Sequence, residues 1–366
     1  MKINCSRSDL LASVNIAMRA VPSKSNMPIL ESLLITAQDD ITITSNDNEM
    51  GIQTIVEGSV LEPGKTAVEA RLFSEIVRKL PDNEITMETE GGSRLKIKCE
   101  DSVFQLSTNN PDEFPELPDT GENGHITISE FTLKEMIRQT IFSIAANDAN
   151  ALMKGELLTI SGDDIKFTAL DSHRIAIRNE KLSESYDHAE VIIPGKTLNE
   201  ISRILEGNAE NSVEIVFDYR LIKFLLNGTI VISRLIDGEF FNVSRMVSSD
   251  YSTMVTINKN DLINTLDRAV TLTREGERKP VVMEINDDYM NLDITSSIGS
   301  MNDRLPIVKE GNNLVIGFNP KFIMDALRVI DDEDVTLYFV NRNSPCFIRD
   351  NEMQYVYIIL PVNINR

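Results

Sequence analysis

The sequence contains no tryptophan, three histidines and three cysteines in 366 residues. Cys5, Cys99 and Cys346 lie far apart and form no CxxC pair, so neither disulfides nor a cysteine-ligated zinc site is expected. A Walker loop, a GxSxG elbow and an HExxH motif are all absent, and we expect no cofactor and no metal. This cysteine usage predicts a reducing location, the cytoplasm.

Long apolar segments are absent as well. The run YVYIILPV near the end of the sequence is far shorter than the roughly 20 residues that a membrane-spanning helix needs, and the first residues include no apolar export signal. We therefore expect no membrane partner. Hydrophobic residues make up 42% and charged residues 25%, which is typical of a globular protein, and the length suggests two or three domains.

A two-helix pattern occurs three times along the chain. Each copy begins with an apolar stripe at helical spacing, which follows a residue suited to capping a helix: Ser6, Ser129 and Asn258. The second helix of each copy has a base near its start and an arginine seven residues later, and both positions recur at intervals of 125 residues: Arg71 and Arg78, Lys196 and Arg203, Lys321 and Arg328.

Apolar and polar residues alternate between the two helices of each copy, as they do in β-strands. Paired acidic residues interrupt the alternation once per copy and predict a hairpin turn there: Asp39–Asp40, Asp163–Asp164 and Asp287–Asp288. More strand-like segments follow each second helix. We therefore predict an α+β protein with three domains of the order helix, strands, helix, strands, joined by polar linkers: 1–124, 125–248 and 249–366.

The formal net charge of −21 argues against nucleic-acid binding if it is spread evenly. It is not, because the predicted helices with the residues that trail the opening ones hold fifteen Lys or Arg residues against eight Asp or Glu. Their net charge of +7 leaves −28 for the rest of the chain. If the helices share one side of the molecule, that side is basic. Such a surface could hold phosphates without reading base sequence, since the sequence has no helix-turn-helix or zinc-finger spacing to read base edges. Few aromatic residues are present to stack on bases either.

The segment FTALDSHRIAIR places Asp171, Ser172, His173 and Arg174 side by side, which raises the question of an active site. A Ser-His-Asp triad is normally assembled from distant segments, and adjacent residues of an extended chain point to opposite sides. The corresponding Asp47 of the first copy has no histidine after it, so we expect the aspartate to serve a turn. Catalysis, a structural turn and a binding role for the His-Arg pair stay open on these residues alone.

The segments MPIL, DSHR, DGEF, FNPKF and LPV, distributed over all three copies, resemble the bacterial sliding clamps, the β subunits of DNA polymerase III. The resemblance implies a non-catalytic processivity factor. Two three-domain subunits would close into a homodimeric ring, with helices inside and sheets outside, that encircles duplex DNA without sequence specificity. The implied protein partners are the catalytic subunit of DNA polymerase III, the clamp loader and other proteins that carry a short clamp-binding peptide.

The resemblance also implies a hydrophobic cleft beside DSHR that receives those peptides. Ser172 and Phe241 stand where a glycine and a proline are common in the family. The matching cleft positions are Met153, Thr168, Leu170, Ser172, His173, Arg174, Ile175, Phe241, Arg245, Met246, Asn319, Phe322, Pro345, Ile358, Leu360, Pro361 and Val362.

Two further surfaces follow from the resemblance. Lys24, Asn147 and Lys196 match DNA-contacting positions, and the bases of the repeated helices extend this predicted DNA surface: Arg71, Arg78, Lys134, Arg138, Arg203, Arg274 and Lys321. The dimer interface is expected to join a strand of the first domain to the third domain: Phe104 and Leu106 with Thr271 and Leu272.

Two other classes of protein compete with this interpretation. A metabolic enzyme built from repeated domains would use DSHR for catalysis, but threefold repetition without a single glycine-rich loop or metal cluster argues against it. An acidic mimic of DNA would display carboxylates on its helices, whereas these helices are basic.

Overall fold

The computed structural model describes residues 1–121, 124–146, 149–244, 246–247, 249–272 and 279–364. Within these ranges the chain forms six α-helices and 24 β-strands, and the predicted order of helix, strands, helix, strands recurs three times. A short strand that the sequence analysis missed precedes each opening helix. No helix of the described ranges is long and apolar enough to cross a membrane.

The first repeat contains two helices and nine strands: β1 (Lys2–Ser6), α1 (Arg7–Ala17), β2 (Ser32–Ala37), β3 (Ile41–Asn46), β4 (Met50–Val56), β5 (Gly58–Glu62), β6 (Gly64–Glu69), α2 (Ala70–Lys79), β7 (Glu84–Glu90), β8 (Arg94–Cys99) and β9 (Ser102–Asn109). The second contains fewer but longer strands: β10 (Gly124–Ser129), α3 (Glu130–Thr140), β11 (Gly155–Leu170), β12 (Arg174–Pro194), α4 (Gly195–Ile204), β13 (Ser212–Phe217), β14 (Leu221–Leu226) and β15 (Thr229–Arg234). The third repeats the pattern of the first: β16 (Thr253–Asn258), α5 (Lys259–Val270), β17 (Val281–Ile285), β18 (Tyr289–Ser296), β19 (Gly299–Pro306), β20 (Val308–Gly311), β21 (Leu314–Phe318), α6 (Pro320–Arg328), β22 (Asp334–Phe339), β23 (Cys346–Arg349) and β24 (Tyr355–Ile359).

The chain divides into two compact units, Met1–Phe131 with Arg203–Leu235 and Thr132–Ser202 with Ile236–Arg366. Unit 1 contains a 13-stranded sheet in the order β10-β13-β14-β15-β4-β3-β2-β6-β9-β8-β7-β1-β5. Unit 2 contains a seven-stranded sheet, β11-β12-β24-β23-β22-β16-β20, and a four-stranded sheet, β19-β18-β17-β21. All pairings between the described strands are antiparallel.

Apolar stripes attach the helices to these sheets. In unit 1, Leu10 and Val14 of α1 pack with Phe73 and Val77 of α2, and all four side chains are fully buried. The helices α5 and α6 do the same in unit 2 with a matching set: Leu262, Leu266, Ile323 and Leu327. Burying each such side chain contributes about 1.5–3 kcal/mol, so packing rather than helix propensity holds these short helices.

The first residue of each opening helix ties it to the end of the second helix in the same repeat. Arg7 donates to the Arg78 carbonyl at 2.6 Å, and Lys259 donates to the Ile330 carbonyl at 2.7 Å. A cation is favourable at a helix C-terminus, where unpaired carbonyls concentrate negative charge. In the middle repeat this position is Glu130, which instead accepts a backbone N–H beyond the end of α4.

Two of the three predicted hairpin turns are confirmed, at Asp39–Asp40 and Asp287–Asp288. Asp163–Asp164 lie within the range of β11, but the register against β12 changes there: Ile160 lies opposite Ala189 and Asp164 opposite Lys181, a step of four residues on β11 against eight on β12. The first repeat makes the same step across its turn, from Ala37 opposite Gly64 to Ile41 opposite Val56. Gly162, whose φ of +64° suits glycine, lies at this point, so the register supports the third turn as well.

Strand pairing also joins successive repeats. The last strand of the second repeat, β15, pairs with β4 of the first, with Val231 opposite Ile52. The last strand of the third repeat, β24, pairs with β12 of the second, with Tyr357 opposite Ala176. The last strand of the first repeat, β9, pairs with β8 over 102–107, and its other edge meets β6 only at its final two residues.

Candidate functional site

The DSHR segment forms the tight turn between β11 and β12. The Asp171 carboxylate accepts the backbone N–H groups of His173 at 2.7 Å and Arg174 at 3.0 Å, an arrangement that closes the turn. Asp47 makes the same pair of bonds between β3 and β4, which supports the interpretation of this aspartate as a turn residue. No hydrogen bond among the described residues joins the Ser172 hydroxyl to the His173 ring, so the segment does not form a catalytic pair.

Arg174 connects this turn to α6. Its Nε lies 3.1 Å from Asp171 Oδ2 and its Nη1 lies 2.6 Å from Asp325 Oδ2. The guanidinium also sits 4.7 Å from the centre of the Phe322 ring and 5.4 Å from that of Phe142. Its side chain is 11% exposed, so the charge is largely neutralised by partners within the chain.

A cleft of about 550 Å³ opens on unit 2, beside this turn. Its floor is the face of the seven-stranded sheet that carries Leu170, Ile175, Phe347 and Ile358, all of them buried. Its wall is formed by Phe241, Asn242, Val243 and Met246, which belong to the connection between β15 and β16. A cleft of this volume lined mainly by apolar groups suits an apolar ligand segment better than a charged one.

The structure brings ten of the predicted cleft residues together around this space. Two of them, Phe241 and Met246, stand on the wall with 37% and 57% of their surface exposed, although both are large apolar side chains. The ten are Met153, Leu170, Ser172, Arg174, Ile175, Phe241, Met246, Pro345, Ile358 and Leu360.

Six other predicted cleft residues do not line it: Thr168, His173, Asn319, Phe322, Pro361 and Val362. His173 stacks on Phe322, with ring centres 5.5 Å apart, and both lie beside Arg174. Asn319 caps α6 by accepting the Lys321 N–H at 3.1 Å, and Thr168 is fully buried. The predicted residue Arg245 lies outside the described residues.

The sequence analysis missed six residues that line the cleft: Asp171, Asn242, Val243, Val340, Ser344 and Phe347. Phe347 follows the predicted Pro345 by two positions. Because alternate residues of a strand share a face, this spacing could have predicted Phe347 as a cleft residue. Val243 lies between Phe241 and Met246 in sequence. Its backbone carbonyl accepts the Met246 N–H at 2.8 Å, which bends this segment around the cleft.

The predicted DNA-binding residues differ in exposure and in the hydrogen bonds that they make within the chain. Lys24, Arg78 and Lys321 are exposed. Arg71 donates to the Ser23 carbonyl at 2.8 Å and so holds the loop that carries Lys24. Lys196 and Arg203 are exposed on α4, Lys134 is half-buried on α3, and Asn147 and Arg274 lie outside the described residues.

Arg138, another predicted DNA-binding base, has three partners within the fold. It bonds to Glu135 at 3.0 Å, to Asp331 at 2.7 Å and to the Val329 carbonyl at 3.1 Å beyond the end of α6. The hydrogen bonds that this guanidinium donates to the Glu135 carboxylate raise its pKa above the ordinary arginine value. Within the observed bounds α1, α3 and α5 are electrically neutral, and the basic excess belongs to α2, α4 and α6.

The predicted dimer residues lie at element ends and edges. Phe104 on β9 is 39% exposed, and Leu106 is half-buried on the same strand. Thr271 follows α5, and its hydroxyl donates to the Arg268 carbonyl at 2.6 Å. Leu272 packs against the core of unit 2.

All three cysteines are buried and free. Burial raises the pKa of the Cys5 thiol to about 12, and the thiol is therefore unreactive at neutral pH. Among the described residues no group of His, Cys, Asp and Glu has the arrangement of a metal site.

Models of the DNA polymerase III beta subunit match nearly the whole chain: the N-terminal domain over residues 1–118, the central domain over 127–242 and the C-terminal domain over 244–363. The chain belongs to this family. The beta sliding clamp of Bacillus subtilis is 32% identical to it over 377 residues and that of Halalkalibacterium halodurans 31% over 372 residues, with at least 97% of each chain covered.

Solved structures of the family have the same fold. The sliding clamp from Bacillus subtilis superposes with a TM-score of 0.95 at 30% identity, and both chains are covered completely. A chain from Eubacterium rectale assigned as a DNA polymerase III beta subunit gives 0.95 at 49% identity, again with full coverage of both. The chain therefore has the three-domain α+β fold of the sliding clamps. Sliding clamps are the non-catalytic processivity factors of DNA replication, which bind DNA and the polymerase, and the predictions of fold and function are confirmed at this level.

Proposed function

We propose that two copies of this chain close into a ring around duplex DNA, and that the unit 2 cleft holds short peptides of the polymerase catalytic subunit, the clamp loader and other partners. The observation that carries the ring is the strand pairing between repeats. Two junctions of the same kind are completed within the chain, by β15 with β4 and by β24 with β12. A third would use the free edge of β9 and a strand equivalent to β4 and β12.

That equivalent strand is β19. It closes the hairpin with β18 as β4 does with β3 and β12 with β11, and its other edge is unpaired in the four-stranded sheet. Unpaired strand edges favour association, and a twofold axis would satisfy both free edges of both copies at once. The two intermolecular junctions would then repeat the four intramolecular ones.

The hairpins also give the register. Phe104 is the third residue of β9, as Val231 is of β15, and Met301 occupies the place in β19 that Ile52 occupies in β4. Since Val231 lies opposite Ile52, Phe104 of one copy would lie opposite Met301 of the other. Leu106 would then meet Gly299, and a Cβ on Gly299 would stand 3.4 Å from Leu272. This register would bring the predicted interface residues Phe104 and Leu106 of one copy close to Leu272 of the other.

The DNA would face the helices. α2, α4 and α6 carry the basic excess of a chain whose net charge is −21, so if the ring brought these helices to one surface, that surface would attract phosphate and the remainder would repel it. Arg71 and Arg138 already donate to groups of the chain, and we therefore expect weak, sequence-independent contacts. Retention on DNA would come from topology and not from affinity. A cytoplasmic location follows from this role, because the chromosome is there.

The cleft suits a short extended peptide with a glutamine and two apolar or aromatic anchors. Its apolar floor and exposed wall offer burial to the anchors. Because Arg174 is already paired with Asp171 and Asp325, we expect the anchors to supply more of the affinity than ionic contacts do.

The decisive experiment loads the protein onto nicked circular duplex with a clamp loader and then linearises half of the sample. We expect the wild type to remain on the circle and to leave the linear DNA, both at moderate salt. Equal retention on the two forms would refute encirclement. A loss from both forms that follows salt concentration alone would indicate ordinary electrostatic binding.

A further inference from the structure

The segment Leu360–Ile364, here called the tail, is fixed at two points. The Leu360 N–H donates to the His173 carbonyl at 2.9 Å, and the Val362 N–H donates to the Gly317 carbonyl at 2.8 Å. Leu360 lines the cleft and is 43% exposed. The first bond therefore attaches the cleft-lining residue to the DSHR turn, and the second attaches the residue two positions later to β21.

Ile364 completes the second attachment by packing on Gly317. A Cβ built on Gly317 would lie 2.7 Å from the Ile364 Cγ2 and 3.2 Å from the Val362 carbonyl oxygen. Its φ is not in the left-handed region, so the backbone conformation does not require glycine here. The close approach of the tail does require it, because any side chain at 317 would occupy the space that Ile364 fills.

We propose that Gly317 and Ile364 are positioning residues for the cleft: together they latch the tail onto β21 and thereby hold Leu360 at the cleft margin. Neither residue lines the cleft. The proposal rests on the peptide-binding function proposed above. According to the proposal, Gly317 affects peptide affinity although β21 does not line the cleft. A substitution on β21 would shift the tail and, through it, Leu360.

The test is a double-mutant cycle in the full-length protein. Gly317→Ala adds the methyl group that meets Ile364, and Ile364→Leu removes the Cγ2 methyl while it conserves the volume. The probe is a fluorescein-labelled synthetic peptide with one glutamine and a Leu-Phe pair, titrated by anisotropy. Asn363→Ala, at an exposed tail position, serves as the matched control.

We expect Gly317→Ala to weaken the peptide by about three- to tenfold, as tight packing makes the tail shift. Ile364→Leu and Asn363→Ala should bind within about twofold of wild type, and Gly317→Ala with Ile364→Leu should recover most of the loss. The Leu360 methyl resonances, followed by NMR without peptide, should move in Gly317→Ala and return in the double variant. This signal reports the position of Leu360 and is independent of overall stability.

Two results would overturn the latch: wild-type affinity and unmoved Leu360 resonances in Gly317→Ala, or a loss that Ile364→Leu does not rescue. A wild type that fails to bind the peptide, with Leu360 resonances that still respond to Gly317→Ala, would instead refute the proposed cleft function and with it the role of the latch in binding. Thermal midpoints of all variants identify any that fail to fold.

Discussion

Glu156 is a fully buried carboxyl group at the beginning of β11. The Thr140 hydroxyl lies 2.7 Å from its Oε2, and its Oε1 has no partner among the described residues. Burial raises the pKa of Glu156 to about 8, because the charged form cannot be solvated there. At neutral pH the protonated acid can donate to Thr140, whose hydroxyl in turn donates to the Met136 carbonyl at 2.7 Å.

This carboxyl group predicts a pH dependence of stability. The folded pKa of about 8 exceeds the ordinary value of 4.5, so between these values the folded state holds a proton that the unfolded state has released. The stabilisation of the folded state by Glu156 is complete below pH 4.5. Between pH 4.5 and pH 8 it falls by at most about 1.4 kcal/mol per pH unit, and above pH 8 it is gone. Glu156→Gln should flatten this part of the profile of unfolding free energy against pH, measured by urea denaturation. An unchanged slope would contradict the assignment.

Met246 offers the clearest test of the cleft wall. It is 57% exposed in the free protein, so Met246→Asp should leave the fold intact but place a charge where an apolar anchor would be buried. An anchor of this kind contributes about 1.5–3 kcal/mol, and we expect peptide affinity to fall by one to two orders of magnitude in calorimetric titrations. Ser244→Asp puts the same charge on an exposed position of the same segment outside the cleft and should have little effect.

His173→Ala should weaken the peptide only modestly. The ring stacks on Phe322 beside the cleft and does not line it, so its removal acts through Arg174 and the turn. A loss as large as that of Met246→Asp would mean that the peptide contacts the imidazole directly.

The charges show where residue-level inference from the sequence ends. Arg7, Lys259 and Arg138 were counted as part of a basic surface, yet each donates to carbonyls at or beyond the end of a second helix. For Arg138 the acceptor is 191 residues away. Periodicity locates a base on a helix, but only the fold reveals the carbonyl or carboxylate that neutralises it.

At the scale of elements, the proposed pairing of β9 with β19 has a covalent test. Opposite residues of an antiparallel pair have Cβ atoms close enough for a disulfide, so Phe104→Cys combined with Met301→Cys should form a cross-linked dimer on mild oxidation. The native cysteines are buried and should not form cross-links under these conditions. Val103→Cys with Met301→Cys shifts the pair by one residue to the other face and should cross-link poorly. Equal yields from the two designs would contradict the register.

Helices and most strands were predictable because each has an apolar stripe of its own period, as with Leu10, Val14 and Ala17 of α1. The paired acidic residues located the turns because they interrupt the strand alternation, as at Asp39–Asp40. The cleft floor was predicted better than its wall, since strand alternation constrains the floor while the wall depends on how a connecting segment folds back.

At the scale of the whole molecule, we expect a dimer of about twice 41.1 kDa at micromolar concentration. Leu272→Asp should give monomers in light scattering, because the charge would lie at the proposed contact with Leu106 of the other copy. Val308→Asp places the same charge at an exposed position on β20 and should leave the dimer intact. A monomeric wild type, or a dimer that survives Leu272→Asp, would contradict the ring.

The junctions between repeats have a consequence for how such sequences diverge. The ladder between β24 and β12 is made of main-chain hydrogen bonds, which every residue except proline supplies equally. Drift in side chains therefore leaves the ladder unaffected as long as buried and exposed positions keep their alternation. A relative that shares only 30% of its residues still superposes with a TM-score of 0.95. Substitution can accumulate across these strands while the backbone they join changes little.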